Sequence, residues 1–177
     1  MNAASSTAAD PRALAPERRS GGLQALGLIA FLALVFAVYG ASVFITQPAI
    51  DGWYADLAKP WFTPPNVVFP VAWTVIFGLI ALAGWEAWRR SVPGEFGWPL
   101  ACFLLQLVLN FAWSALFFGE GELLLALVDV LALILALLAT ITAFWQISRA
   151  AGVMLLPYLA WICFATVLNA EILRLNL

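Results

Sequence analysis

The chain has 177 residues, of which 64% are hydrophobic and only 10% are charged, and its net charge is −2. A soluble domain has about 25% charged residues, so this composition indicates an integral membrane protein. The small net charge excludes a strong electrostatic attraction to nucleic acid. The sequence contains no histidine, which removes the commonest metal ligand and the usual general base. We therefore expect no metal site and no required cofactor.

The first 22 residues are rich in Ala, Ser, Pro and Arg and lack an apolar core, which is typical of a disordered tail. Residues 23–177 form one domain with five apolar segments long enough to cross a bilayer. The sequence therefore predicts an all-α membrane bundle of five transmembrane helices. The predicted spans are residues 23–45, 66–88, 98–118, 122–147 and 152–175. The small residues 40–42 near the end of the first span would let another helix or a ligand come close.

The segment between the first two spans, residues 53–73, is a long aromatic and proline-rich interruption. Its four prolines exclude one continuous helix and make the segment stiff. Its large aromatic residues argue against disorder. We predict a structured lid that begins with a short helix over residues 52–58. Asp51 is expected to cap this helix and Lys59-Pro60 to end it.

The distribution of arginine and lysine predicts the orientation. Five spans place the two termini on opposite sides of the membrane, and cytoplasmic segments carry the excess of Lys and Arg. With the N-terminus inside, six arginines lie on the inner side and only Lys59 and Arg174 on the outer side. This predicts a cytoplasmic N-terminus and a lid outside. No internal repeat is visible, so a transporter built from inverted repeats has no sequence support.

Polar residues inside the spans are few. Asp129 is the acid well inside a span, and a bond to the backbone or side chains of the lid is the favoured interpretation. Glu171 and Arg174, three residues apart, are expected to form an ion pair. Three neutral polar residues are predicted to face inward, where they either bond across helices or contact the polar edge of a ligand. They are Gln106, Asn110 and Asn169.

Aromatic residues from three spans fall in the lid-side half. Trp73 and Phe77 are four residues apart on one helix face, Trp113 is on the third span, and Trp161 is on the fifth. Packing explains any one of them, but together with the lid they indicate a cavity. An apolar pocket with a few polar groups is the usual small-molecule site. Flat aromatic walls suit a large planar ligand.

Three sequence blocks together resemble one known family. They are WYADLAKPWFTPP at residues 53–65, LNFAWSALFFG at 109–119 and PYLAWICFATVLN at 157–169. In this order, on five spans, they are similar to the TspO/MBR family. Its members are the tryptophan-rich sensory proteins and the translocator proteins, or peripheral-type benzodiazepine receptors. The resemblance covers about residues 23–177.

The resemblance implies a five-helix bundle, commonly a homodimer in membrane lipid, with a cavity open toward the first loop. Family members bind porphyrins such as protoporphyrin IX and isoquinoline- or benzodiazepine-type molecules. By motif position, the pocket of this chain would be formed by Trp61, Pro64, Trp73, Phe77, Asn110, Trp113, Trp161, Ala165 and Leu168. The last three fall at i, i+4 and i+7 of the fifth span.

The function implied by the resemblance is a membrane porphyrin-binding sensor or regulator of tetrapyrrole metabolism or of a stress response. One alternative is an enzyme that degrades porphyrin with light and oxygen, in which Trp73 and Trp161 would be the redox-active pair. Another is a transporter of porphyrin or of a lipid-like metabolite.

Overall fold

A computed structural model describes residues 19–177, and every regular element in this range is a helix. The predicted disordered tail lies mainly outside the described residues. Its last two positions, Gly21 and Gly22, already belong to the first helix. That helix is capped by Ser20, whose hydroxyl accepts the backbone N–H of Leu23.

Within residues 19–177 the fold consists of seven α-helices. They are α1 (Gly21–Ile50), α2 (Trp53–Asp56), α3 (Val68–Arg90), α4 (Gly97–Ser114), α5 (Leu123–Ile147), α6 (Arg149–Met154) and α7 (Leu156–Leu175). A π-helical turn, Ala115–Gly119, continues α4. Five helical segments are long and apolar enough to cross a membrane: α1, α3, α4 with its π turn, α5, and α6 with α7. The predicted all-α bundle of five spans is therefore confirmed.

The five spans close into a ring. Helix α1 packs on α3 and α4, α4 packs on α5, α5 packs on α6 and α7, and α6 returns to α3. Phe31, Phe103 and Phe144 meet in the half of the ring away from the lid, with centroids 5.6 and 5.8 Å apart along that row. These rings fill the core of this half, and the space there is an open depression at the surface, lined by Phe31, Trp88 and Phe96.

The end of α1 differs from the prediction. The helix continues to Ile50 with Pro48 inside its last turn, where the proline removes one i→i−4 backbone hydrogen bond. Asp51 therefore ends α1 instead of capping the next helix. The short helix α2 follows Gly52 without a side-chain cap and spans only Trp53–Asp56.

The fifth span is broken near its start, which the sequence prediction of one helix over 152–175 missed. Pro157 lies in the first turn of α7, where its missing N–H is harmless, and Leu155 separates α7 from α6. The short α6 begins at Ser148, whose hydroxyl accepts the N–H of Ala151. As a result α6 packs on α3 while α7 continues the bundle toward the lid.

A cluster of ion pairs and hydrogen bonds joins the helices at the end of the bundle opposite the lid. Glu86 is 4% exposed, pairs with Arg89 at 2.5 Å and also pairs with Arg90. Its Oε1 accepts the Ser148 hydroxyl at 3.3 Å, which ties α3 to the start of α6. Arg19 donates to the carbonyl of Ser91 at 3.0 Å. The arginines of this end therefore gather around the last turn of α3.

Candidate ligand-binding cavity

The lid is structured, but it is shorter than the predicted segment 53–73: it comprises residues 51–67, and residues 68–73 belong to α3. The Trp53 indole donates to the carbonyl of Phe118 at 3.3 Å. Tyr54 is buried against the rings of Phe117 and Phe118, at 6.1 and 5.5 Å. Burial raises the pKa of the Tyr54 phenol, and the Lys59 ammonium lies 4.6 Å from the ring centroid. The start of the lid is thus pinned to the π-helical turn.

A cavity of about 380 Å³ lies beneath the lid. This volume falls in the range of small-molecule sites, about 300–1,000 Å³. The walls come from α1, α3, α4, the π turn and α7. Seven of the nine residues predicted for the pocket line it: Trp73, Phe77, Asn110, Trp113, Trp161, Ala165 and Leu168. Their contact with a ligand stays a prediction.

Two aromatic walls shape the cavity. On one side the rings of Trp73 and Trp161 meet edge to face, with centroids 6.1 Å apart and planes at 82°. Phe77 extends this wall at 5.6 Å from Trp73. On the other side Trp113 stacks on Phe117 at 5.2 Å and 28°. The cavity therefore offers flat faces in more than one plane, which suits stacking of a rigid planar molecule.

Interhelical hydrogen bonds support the cavity from behind. Asn110 donates to the Tyr158 hydroxyl at 2.8 Å, joining α4 to α7. Asn169 accepts the Trp113 indole N–H at 3.2 Å and donates to the carbonyl of Leu123 at 3.0 Å. Of the two roles left open by the sequence, cross-helix bonding is therefore observed for both asparagines. Both also line the cavity.

Two polar groups of cavity residues lack partners among residues 19–177. The indole N–H of Trp161 and the hydroxyl of Ser42 are buried without a hydrogen bond. A buried donor left unpaired is costly, about 1–3 kcal/mol. The amide of Gln106, which does not line the cavity and is 0% exposed, is also unpartnered there.

Trp61 and Pro64 are predicted pocket residues that the structure places outside the cavity lining. Trp61 is 95% exposed. Its neighbour Phe62 turns the opposite way, because the chain bends between Pro60 and Thr63, whose N–H bonds the Pro60 carbonyl at 3.0 Å. Pro64 is half-buried beside this turn. Within the WF pair it is therefore Phe62 that packs toward the bundle.

Helix α1 supplies cavity residues that sequence reasoning missed. They are Tyr39, Ser42, Val43, Thr46, Gln47 and Ile50, followed by Asp51 just after the helix. Most were overlooked because the predicted first span ended at residue 45, five residues before the helix does. The one available signal was the small-residue patch at 40–42, which contains Ser42. From the lid and the start of α3, Tyr54, Asn66, Phe69 and Pro70 were also missed.

The predictions for the Glu171–Arg174 pair and for Asp129 have opposite outcomes. Glu171 and Arg174 form the expected ion pair, at 2.5 Å. Asp129 does not line the cavity, and its buried Oδ2 has no partner among the described residues. The predicted bond to the lid is not formed, and the start of the lid contacts the π turn instead.

Five spanning helices around a lidded aromatic cavity define a multi-pass integral membrane protein. A tryptophan-rich protein TspO from Archaeoglobus fulgidus is 42% identical over 151 residues, covering 85% of this chain and 97% of that relative. A tryptophan-rich sensory protein from Cereibacter sphaeroides is 41% identical, covering 71% and 78%. The human translocator protein is 36% identical, covering 70% and 75%. The chain belongs to the TspO/MBR family, whose model matches residues 30–175.

Proposed function

We propose that this chain binds a porphyrin-type tetrapyrrole in the cavity and acts as a membrane sensor or regulator of tetrapyrrole metabolism or of a stress response. The observation that supports the ligand class best is the Trp73–Trp161 pair, 6.1 Å apart at 82°, inside a largely apolar chamber. The name of the Cereibacter relative, a sensory protein, supports the regulatory role.

The chemistry of the lining favours stacking over metal ligation. The sequence has no histidine to bind a porphyrin iron. The macrocycle would lie against the indole faces. Isoquinoline- and benzodiazepine-type molecules, which are also planar, would compete for the same walls.

The test is a titration of protoporphyrin IX into the detergent-solubilised protein, followed by tryptophan fluorescence quenching and by the shift of the porphyrin absorbance. Because an aromatic pair contributes about 0.5–1.5 kcal/mol, we expect Trp73→Phe with Trp161→Phe to weaken binding by about tenfold. Trp98→Phe is the matched control, since Trp98 is 72% exposed at the opposite end of the bundle. Equal affinity of the double variant and the control would remove this proposal.

A second candidate is light- and oxygen-dependent porphyrin degradation, favoured by the two adjacent indoles in the cavity wall. An indole beside an excited porphyrin is oxidisable, with molecular oxygen as the oxidant, and the step needs no acid–base pair. The test is loss of porphyrin absorbance under illumination, abolished in Trp161→Phe. Equal bleaching with and without protein would exclude it.

For the orientation we propose a cytoplasmic N-terminus and an external lid. Arg19, Arg89, Arg90 and Arg149 lie at the end opposite the lid, whereas Lys59 and Arg174 lie at the lid end. Arg12 and Arg18, which the sequence argument also used, lie outside the described residues. The excess of arginine marks the cytoplasmic side. Labelling of an Ala58→Cys variant by an impermeant maleimide on intact cells tests it, and labelling only after lysis would reverse the orientation.

A further inference from the structure

The boundary between α3 and the fifth span, α6 with α7, is called the seam here. It is tightly packed at one end of the bundle and loosely packed at the other. Near the end opposite the lid, α3 packs closely on α6, but toward the lid it touches α7 only sparsely. Within residues 19–177 no hydrogen bond joins α3 to α7. The neighbouring α1–α3 seam is different, because the Tyr39 hydroxyl bonds Thr74 at 3.2 Å and the Tyr39 ring stacks on Phe77 at 4.9 Å.

A row of aromatic rings fills the loose part of the seam. Trp161, in the cavity wall, meets Phe69 of α3 at 5.8 Å and Phe164 of its own helix at 5.6 Å. Phe164 meets Phe62 of the lid at 6.5 Å, and Phe62 meets Trp61 at 5.8 Å. The row therefore runs from the cavity wall to a side chain that is 95% exposed.

The lid, in contrast, is held by hydrogen bonds at two places. Its start is pinned through Trp53 to the carbonyl of Phe118. Ala58 is bonded through both its N–H and its carbonyl to the side chain of Asn176. Opening the lid breaks these bonds, whereas between α3 and α7 only ring contacts oppose separation at the lid end, and partly exposed rings change rotamer quickly.

We propose that the outer half of the α3–α7 seam is a lateral portal, through which a planar apolar molecule passes between the surrounding lipid and the cavity. Phe62 and Phe164 form its gate. The inference rests on the proposed function for the identity of the molecule, a tetrapyrrole. It is separable from binding, because neither gate residue lines the cavity.

The first test compares exchange rates of protoporphyrin IX by stopped-flow fluorescence, with the protein in lipid nanodiscs. In the Phe62→Ala, Phe164→Ala variant the association and dissociation rates should both rise by about tenfold, with an unchanged Kd, since a gate changes rates and not the bound state. Trp98→Ala, an exposed aromatic at the opposite end, is the control and should leave both rates unchanged. Unchanged rates in the gate variant would overturn the portal.

The second test locks each route in turn with a cleavable thiol crosslinker, after Cys102→Ala and Cys163→Ala remove the native thiols. The gate pair, Phe62→Cys with Phe164→Cys, ties the lid to α7 at the portal, and the control pair, Ala58→Cys with Asn176→Cys, ties the lid to the residue that follows α7. Locking the gate pair should slow exchange by about tenfold or more, reversibly on reduction, and locking the control pair should not. Slowing by the control pair alone would place the route on that side of the lid and overturn the portal. If the protein without crosslinks binds no protoporphyrin, the proposed function itself fails.

Discussion

The side chain of Asn176 holds the backbone of Ala58 from both sides, although 118 residues separate them in the sequence. The Ala58 N–H donates to Asn176 Oδ1 at 3.0 Å, and Asn176 Nδ2 donates to the Ala58 carbonyl at 2.9 Å. Nδ2 also donates to the carbonyl of Ile172, in the last turn of α7, at 2.8 Å. The position of the lid is therefore coupled to the end of α7.

Replacing Asn176 by alanine should loosen the lid without unfolding the bundle. Each lost hydrogen bond contributes about 0.5–1.5 kcal/mol, so local opening becomes about tenfold more frequent. Hydrogen–deuterium exchange of lid peptides should rise accordingly. Leu177→Ala is the control, because Leu177 is 97% exposed. Equal hydrogen–deuterium exchange in both variants would show that the hydrogen bonds between Asn176 and Ala58 do not hold the lid.

Tyr158→Phe should destabilise the bundle by about 1–2 kcal/mol, because it leaves the amide of Asn110 unpaired in a buried site. The expected result is a lower Tm in detergent. Tyr39→Phe is the control: it also removes one hydroxyl, but from a more exposed position.

A double variant checks the cause. Removing both partners, with Tyr158→Phe and Asn110→Leu, should recover part of the loss, since no polar group then remains unpaired. If the Tm loss of the double variant equals the sum of the losses of the two single variants, the hydrogen-bond explanation is contradicted.

Gly84→Ala should destabilise the protein by about 1–3 kcal/mol through overpacking. A Cβ at this position would lie 2.8 Å from the ring of Phe31 and 3.0 Å from that of Phe103, where α1 and α4 meet α3. Gly78→Ala, on the same helix with nothing within 4 Å, is the matched control. It should be neutral or stabilising by up to about 1 kcal/mol, because alanine favours helix. Thermal unfolding of both variants decides; equal Tm changes would refute the close packing at Gly84.

Glu86→Gln should lower the Tm, whereas Glu171→Gln should leave it unchanged. Glu86 is buried and joins two arginines and Ser148, so its charge loss weakens the link between α3 and α6 by about 1–2 kcal/mol. Glu171 pairs only with Arg174 on an exposed surface, where solvent screens the interaction. A larger Tm loss for Glu171→Gln would reverse this ranking of the two ion pairs.

The number of spans and the cavity walls on α3, α4 and α7 could be predicted from the sequence. Hydropathy identifies the spans, and helical spacing places Trp161, Ala165 and Leu168 on one face. Local sequence preference predicts the ends and interruptions of helices less well than it predicts the spans themselves. Pro48 lies inside the last turn of α1, whereas Pro157 follows a real interruption at the start of α7.

Side-chain direction in the lid could not be predicted from composition. Trp61 and Phe62 are adjacent and equally apolar, yet the turn between Pro60 and Thr63 sends one outward and the other toward Phe164. Nor does sequence spacing show that Asn176 reaches Ala58, because this contact depends on where the end of α7 lies. Tertiary geometry therefore decides which residues of a recognised motif reach the cavity.

The π-helical turn Ala115–Gly119 winds the backbone more widely than a regular helix and turns Phe117 and Phe118, though adjacent, both into the chamber and under the lid. The width of the chamber therefore depends on the backbone geometry of this turn as well as on the side chains of the walls. Insertion or deletion of a single residue here would change the width of the chamber, and with it the size of the molecule that fits, while leaving the tryptophans of its walls in place.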